Sequence, residues 1–242
     1  MIDTHCHIDL YENPFEIIRE CEKESIITIG VTNLPSHFAM GYPHIINCKK
    51  VRLALGFHPL YAEKFTKEFH LFVKYLSMTS YVGEIGLDFS TEGKETKDIQ
   101  LFFFKKILVE LKGKNKILSI HSRKAEKEVL KLLVDNNIKN AIFHWYTGPI
   151  NLISEIANNG YFFSINPAMI KTKSGQEIIS KIPLTNLLTE SDGPFIQHQK
   201  VSIKPKDVSL VINYLSKTTG KLNNELESQI LKNFKRVIKA LK

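Results

Sequence analysis

Six residues of this chain are of types that could hold divalent metal ions: His5, His7, Glu84, His121, His144 and Asp192. Imidazole nitrogens mixed with carboxylate oxygens suit zinc, manganese or iron and, with more water, magnesium. His5 and His7 lie two apart, so on a strand both rings point to one face and reach one ion. Such a donor set leaves positions for water, and water on a divalent ion loses its proton near neutral pH and becomes a nucleophile. Two ions about 3.5–4 Å apart would also clamp the attacking and leaving oxygens of a phosphate ester. Each residue alone has a plainer reading. A histidine at a strand end is commonly a hydrogen-bonded core residue. Asp192, before Gly193 and Pro194, could simply begin a turn. The ordered set carries the argument.

For these side chains to meet, a scaffold must gather strand ends. Short β-rich runs recur near 1–7, 26–32, 51–57, 81–87, 116–121, 140–144, 161–165 and 186–191. Between them, 14–24, 60–78, 96–112, 124–136 and 149–159 carry apolar residues at helical spacing. Pro14 and Pro149 fall near first helical turns, where proline is tolerated. Alternating strands and helices imply parallel strands with right-handed crossovers. The expected fold class is α/β, a (β/α)₈ TIM barrel, forming a single domain over residues 1–242. Segments 33–50 and 167–182 are the weakest units, broken by Pro35, Gly41, Pro43 and Gly175, and read as irregular loops with short helices. Two helices are predicted after the last strand, near 205–218 and 223–241. In such a barrel, active-site residues project from the C-terminal strand ends. His5 and His7 end the first strand, His58 follows the third, and Glu84 and Asp88 lie in and after the fourth. His121, His144 and Asp192 end the fifth, sixth and eighth.

The 242 residues are 43% hydrophobic, ordinary for a globular protein. No apolar run reaches the roughly 18 residues of a membrane span, and no basic-then-apolar leader is read at the N-terminus. Cys6, Cys21 and Cys48 are odd in number and in no CxxC pattern, which suggests reduced thiols and a cytoplasmic protein. Cys6 points away from its flanking histidines and is read as a small buried filler. The formal net charge is +8, and from Lys200 onward ten Lys or Arg face three Asp or Glu. Such a region attracts polyanions, or is a solvated lysine-rich helix surface.

The sequence resembles the TatD family of metal-dependent deoxyribonucleases, among the amidohydrolase-like barrels. The resemblance rests on Ile2-Asp3-Thr4-His5-Cys6-His7-Ile8-Asp9, Leu55-Gly56-Phe57-His58-Pro59 and Gly83-Glu84-Ile85-Gly86-Leu87-Asp88-Phe89. It continues through Ile120-His121-Ser122-Arg123, Phe143-His144-Trp145-Tyr146-Thr147-Gly148 and Leu188-Thr189-Glu190-Ser191-Asp192-Gly193-Pro194-Phe195. Gln100 and Asn233 also fall where the family has such residues. The resemblance implies a two-metal site: His5, His7 and Asp192 on one ion, His121 and His144 on the other, Glu84 bridging. It implies that His58 contacts substrate phosphate or water, and that Asp192 takes the proton of the attacking water. The cofactors would be two divalent ions (Mg, Mn or Zn), and the partner a nucleic acid, single-stranded DNA first; membranes are not expected and protein partners are left open. The implied reaction is phosphodiester hydrolysis by a metal-activated water, often from the 3′ end. One departure stands out. Where the family has a basic Arg-Gly-Lys-x-Asn-Glu-Pro segment, this chain reads Ile196 to Pro205 without the Arg or the Asn-Glu pair, which marks a divergent branch.

Around the site, Arg123 is expected to reach a phosphate oxygen and Trp145 to stack on a base. Lys171 and Lys173 are further phosphate candidates, or plain surface lysines. Tyr146 and Phe89 are also expected near the mouth, Phe89 in a packing role. His37 and His44 read as loop residues. Two rivals remain: a deacylase attacking a carbonyl substrate such as acylated tRNA, and a binding subunit without activity.

Overall fold

In a computed structural model, which describes residues 1–239 and Leu241, the predicted strands are all present. They are β1 (Ile2–Cys6), β2 (Ile27–Gly30), β3 (Val51–Leu53), β4 (Tyr81–Gly86), β5 (Ile117–His121), β6 (Ala141–His144), β7 (Phe162–Ile165) and β8 (Leu187–Thr189). Their ladders are parallel and run in order as β1-β2-β3 and β4 to β8. Two seams close these sheets into a (β/α)₈ barrel. At the first, Leu55 bridges: its N–H donates to Tyr81 O at 3.0 Å, and its carbonyl accepts from Gly83 at 2.9 Å. At the second, β8 meets β1 largely through side chains. Thr4 Oγ1 donates to the Thr189 carbonyl at 3.1 Å, and Thr189 Oγ1 to the Ile2 carbonyl at 2.5 Å. Ser191 donates from its N–H (2.9 Å) and its hydroxyl (2.5 Å) to Asp3, above backbone bonds from Asp192 N to His5 O and from His7 N to Gly193 O.

The helices cover the barrel with their apolar faces. In α1 (Pro14–Glu24), Pro14 opens the helix behind an Asn13 cap, and Ile17 and Cys21, one turn apart, are buried. Helices α2 (Pro35–Ile45), α3 (Phe69–Tyr75), α4 (Lys97–Leu111), α5 (Glu126–Asp135), α6 (Ile153–Asn158) and α7 (Lys173–Lys181) follow in turn. Helix α8 (Ser209–Thr219) stops at Gly220 in the left-handed region. Helix α9 (Asn223–Lys239) buries Leu226, Ile230, Phe234 and Val237 at helical spacing. Ala240, inside the predicted span 223–241, lies outside the described residues. No helix among the described residues is long and apolar enough to cross a membrane.

The two segments read as irregular each hold a helix. In α2, Pro35 occupies the first turn, where its missing N–H costs nothing, and Pro43 sits near the end. In α7, Thr172 caps the helix by accepting from Gly175 N–H. Gly175 is there for space, since a Cβ would lie 2.2 Å from the Met169 carbonyl oxygen. Conversely, the long helix expected over 60–78 is mostly short 3-10 turns, with only Phe69–Tyr75 α-helical.

Candidate metal centre

Glu84 sits on β4 with its carboxylate in the mouth of the barrel, almost fully buried. Its position depends on a close backbone approach. The Glu84 N–H donates to the Thr32 carbonyl at 3.1 Å, beneath Gly56, where a Cβ would come within 1.5 Å of that same oxygen. The two carboxylate oxygens then face different groups. Oε2 lies 3.5 Å from His5 Nε2 and 3.3 Å from His7 Nε2. Oε1 lies 2.5 Å from His121 Nδ1, 2.9 Å from His144 Nε2 and 3.4 Å from His58 Nε2. Asp192 completes the first side, its Oδ1 3.6 Å from His5 Nε2 and 3.7 Å from His7 Nε2.

Partners behind the rings fix which nitrogen faces inward. His5 Nδ1 lies 2.7 Å from Ser119 Oγ, leaving Nε2 for the mouth. Burial alone would raise the Asp88 carboxyl, but hydrogen bonds from His121 and Ser90 pull it down to about 2. The ionised Asp88 therefore accepts from His121 Nε2–H at 2.9 Å, and His121 turns Nδ1 inward. His58 is the reverse case. Its Nδ1 accepts the Leu60 N–H at 3.2 Å, so in the neutral ring the proton sits on Nε2, which faces Glu84 as a donor. Although His58, Glu84 and His121 have atoms within 4.8 Å of one another, this tautomer suits His58 to a substrate oxygen better than to a cation.

The charge pattern fits a cation centre. Burial, then His144, push the His5 imidazole well below its usual range, while burial drives the Asp192 carboxyl well above the carboxylate range. Burial opposes charge on His144 as well, yet Glu84 and Glu190 hold its pKa well above the usual value. Glu84, despite the same burial, is held well below by His58, His144 and His121. Buried groups of both signs are thus forced to share protons at close range. Two ring nitrogens, His5 Nε2 and His7 Nε2, meet at 3.2 Å, and His7 Nδ1 and His144 Nδ1 are buried with no hydrogen-bond partner. Nitrogen and carboxylate donors crowded in this way fit divalent ions, which would replace the shared protons.

Two strand-end residues lie in the left-handed region, Trp145 at φ 38° and Asp192 at φ 48°. Such strain costs on the order of 1–3 kcal/mol per residue and persists where surroundings enforce it. Here the Trp145 N–H is held by Glu190 Oε1 at 3.0 Å, and the Asp192 N–H by the His5 carbonyl at 2.9 Å. Glu190 is fully buried and also accepts from Asn166 Nδ2 at 2.9 Å and from the Ser164 hydroxyl. Its role, and those of Asp3, Asp88 and Ser119, were not read from sequence. The signal for Glu190 lay in its place two residues before Asp192, directly after β8.

The cluster opens into a cavity of about 610 Å³, whose lining includes His58, Arg123, Trp145, Tyr61 and Phe195. Arg123 is exposed and pairs with Glu92 at 3.2 Å. Trp145 is half-buried in the wall. Other expected rim residues lie elsewhere. Tyr146 is buried in the core against Phe143 and Phe163, its hydroxyl on the Pro149 carbonyl. Phe89 lies under Lys97, outside the pocket lining. Lys171 donates to the Gln197 carbonyl at 3.2 Å and so anchors a short hairpin, β9 (Gln197–His198) with β10 (Val201–Ser202), where the basic segment is missing. His37 lies in α2, 3.3 Å from Asp9, and Cys6 is buried, its thiol facing Tyr11 and the Gly193 carbonyl.

Residues 2–239 match the model of the TatD related DNase family. An uncharacterized metal-dependent hydrolase of Methanocaldococcus jannaschii is 28% identical over 244 aligned positions, covering 96% of this chain and 94% of that protein. The human deoxyribonuclease TATDN3 is 23% identical over 243 positions, covering 91% and 88%. The crystal structure of YJJV, a TatD homolog from Escherichia coli, superposes with a TM-score of 0.86 over 96% of this chain and 95% of that one, at 22% identity, and shares the fold.

Proposed function

This chain belongs to the TatD related DNase family of metal-dependent hydrolases, and from that premise we propose that it hydrolyses phosphodiester bonds of single-stranded DNA, shortening the strand from its 3′ end. The observation that carries the reading is the divided carboxylate of Glu84, one oxygen toward His5 and His7, the other toward His121 and His144. In this reading His5, His7 and Asp192 would hold one ion, His121 and His144 the second, and Glu84 would serve both. When bound, Mg²⁺, Mn²⁺ or Zn²⁺ supplies Lewis-acid stabilisation of phosphoryl charge and a nucleophile from water at neutral pH.

The chain's own groups do the rest. Asp192, at the mouth beside His5 and His7, accepts the proton of the attacking water. His58 donates its Nε2–H to a phosphate oxygen and so orients the ester in the mouth. Arg123, paired with an exposed Glu92, exchanges that partner for a backbone phosphate. Trp145 offers a wall on which a base stacks. Asp88 and Ser119 keep the His121 and His5 rings turned, so each presents one fixed nitrogen. A relative named as a deoxyribonuclease supports DNA as the polymer.

The test is digestion of a single-stranded oligonucleotide, labelled at either end, with each metal and with a chelator. Metal-dependent loss from the 3′ end is expected. No cleavage with any metal, alongside turnover of acylated tRNA, would replace this reading with the deacylase.

A further inference from the structure

Hydrolysis at the ligand cluster accounts for one phosphate, but the strand flanking it must also lie somewhere. The cavity, at about 610 Å³, has the size of a small-molecule site, so a polymer must continue beyond it. Resting on the nuclease reading, we propose that an unpaired nucleic-acid strand runs out of the pocket along an aromatic file formed by Tyr61 and Phe65, with Phe195 as a further base-stacking surface on the His7 side.

The file begins at the ligands themselves. Ring centroids step from His121 to His58 at 4.8 Å, from His58 to Tyr61 at 5.8 Å, and from Tyr61 to Phe65 at 6.0 Å. One short backbone segment sets these intervals. Pro59 fixes the chain after His58, the His58 carbonyl accepts the Tyr61 N–H at 3.0 Å, and the Tyr61 carbonyl accepts the Phe65 N–H at 3.0 Å. Tyr61 and Phe65 are each 38% exposed, and Phe195 is 59% exposed while its ring edges onto His7 at 4.9 Å. Single exposed rings are common on any surface. Rings that continue unbroken from a candidate phosphate site into solvent are a different matter.

The occupant follows from the chemistry. It must carry a phosphate at the cluster and flat apolar faces on either side of it. Unpaired nucleotides offer both, whereas a duplex hides its base faces inside the stack. The formal charge of +8 favours the approach of a polyanion. Tyr146 and Phe89 contribute nothing to this file, because one is in the core and the other outside the pocket.

Fluorescence anisotropy of a labelled oligothymidylate with cleavage-resistant phosphorothioate linkages, measured with Mn²⁺ present, tests the file directly. Tyr61→Ala and Phe65→Ala should each weaken binding by about tenfold, the loss of one stacked base. Tyr61→Phe and Phe65→Tyr should keep wild-type affinity, and an abasic strand of equal length and charge should bind weakly. Circular dichroism verifies that each variant is folded. Equal affinity of the alanine variants and the wild type, equal affinity for abasic and intact strands, or no binding by the wild type would overturn the file. A wild type that binds through these rings but cleaves no strand refutes the nuclease reading and leaves the file standing.

Discussion

At the floor of the barrel Glu22 accepts three backbone N–H groups, from Lys49 at 3.0 Å, Lys50 at 2.6 Å and Val51 at 3.1 Å. At the mouth Glu84 faces five imidazoles instead. Both carboxyls are held below their usual range against the opposing effect of burial, one by backbone hydrogen bonds, the other by neighbouring rings. The same contrast recurs in other residues. Asn233 donates to the Leu184 and Leu187 carbonyls, both at 2.8 Å, and ties α9 to the start of β8. Lys116 donates to the carbonyls of Leu76 and Thr79. Floor side chains thus end on backbone, which fixes the fold. The Glu84 carboxylate at the mouth instead meets other side chains, which leaves capacity for a ligand.

The comparison breaks if mouth substitutions unfold the protein or floor substitutions abolish turnover. Glu84→Ala should give the largest effect, a fall in kcat/KM on the order of 10³-fold with an unchanged circular dichroism spectrum. Asp88→Asn loosens the hold on His121, and calorimetric titration with Mn²⁺ should find affinity about 10- to 100-fold lower. Asn233→Ala removes a donor from the buried Leu187 carbonyl and from the partly buried Leu184 carbonyl. It should cost about 2 kcal/mol in denaturant unfolding while kcat/KM stays at the wild-type level. Glu22→Ala sharpens the contrast through pH. Because the folded pKa of Glu22 lies below its ordinary 4.5, its contribution is complete above that value and is lost as pH falls through the folded pKa. The variant should be less stable by about 1 kcal/mol at neutral pH, after allowance for solvent screening, and should converge with the wild type in acid. Arg123→Ala, at the outer edge of the mouth, should give the smallest change. Stability should move by less than about 0.5 kcal/mol, and the salt slope of strand binding should fall by about 0.7, one phosphate contact.

The gathering of His5, His7, Glu84, His121, His144 and Asp192 at one mouth was legible because parallel strands deliver every C-terminal end to the same side of the barrel. Residues acting from behind were harder to read. Asp88 was seen at the mouth, but its bond to His121 spans 33 positions, a distance no local pattern encodes. Tyr146 was misplaced for a local reason. The left-handed turn at Trp145 breaks the alternation and sends the next side chain into the core. Helices α2 and α7 were hidden by proline and glycine that serve their first turns and close contacts. At the rim, Arg123 was placed correctly by its neighbour His121, whereas its partner Glu92 and the anchor from Lys171 to the hairpin depend on loops meeting in space.

The seam between β8 and β1 joins residues 185 positions apart through threonine and serine hydroxyls in place of a strand ladder. The ladders between the intervening strands shorten the effective loop, and closure entropy grows only slowly with length, so a few bonds suffice to hold the seam. His5 and His7 extend from one side of that seam and Asp192 from the other. An ion shared by these three would latch the ring where side-chain hydroxyls stand in for a strand ladder. With such an ion bound, ring opening and ion release would be one linked equilibrium, and the free ion concentration would set how often the seam parts.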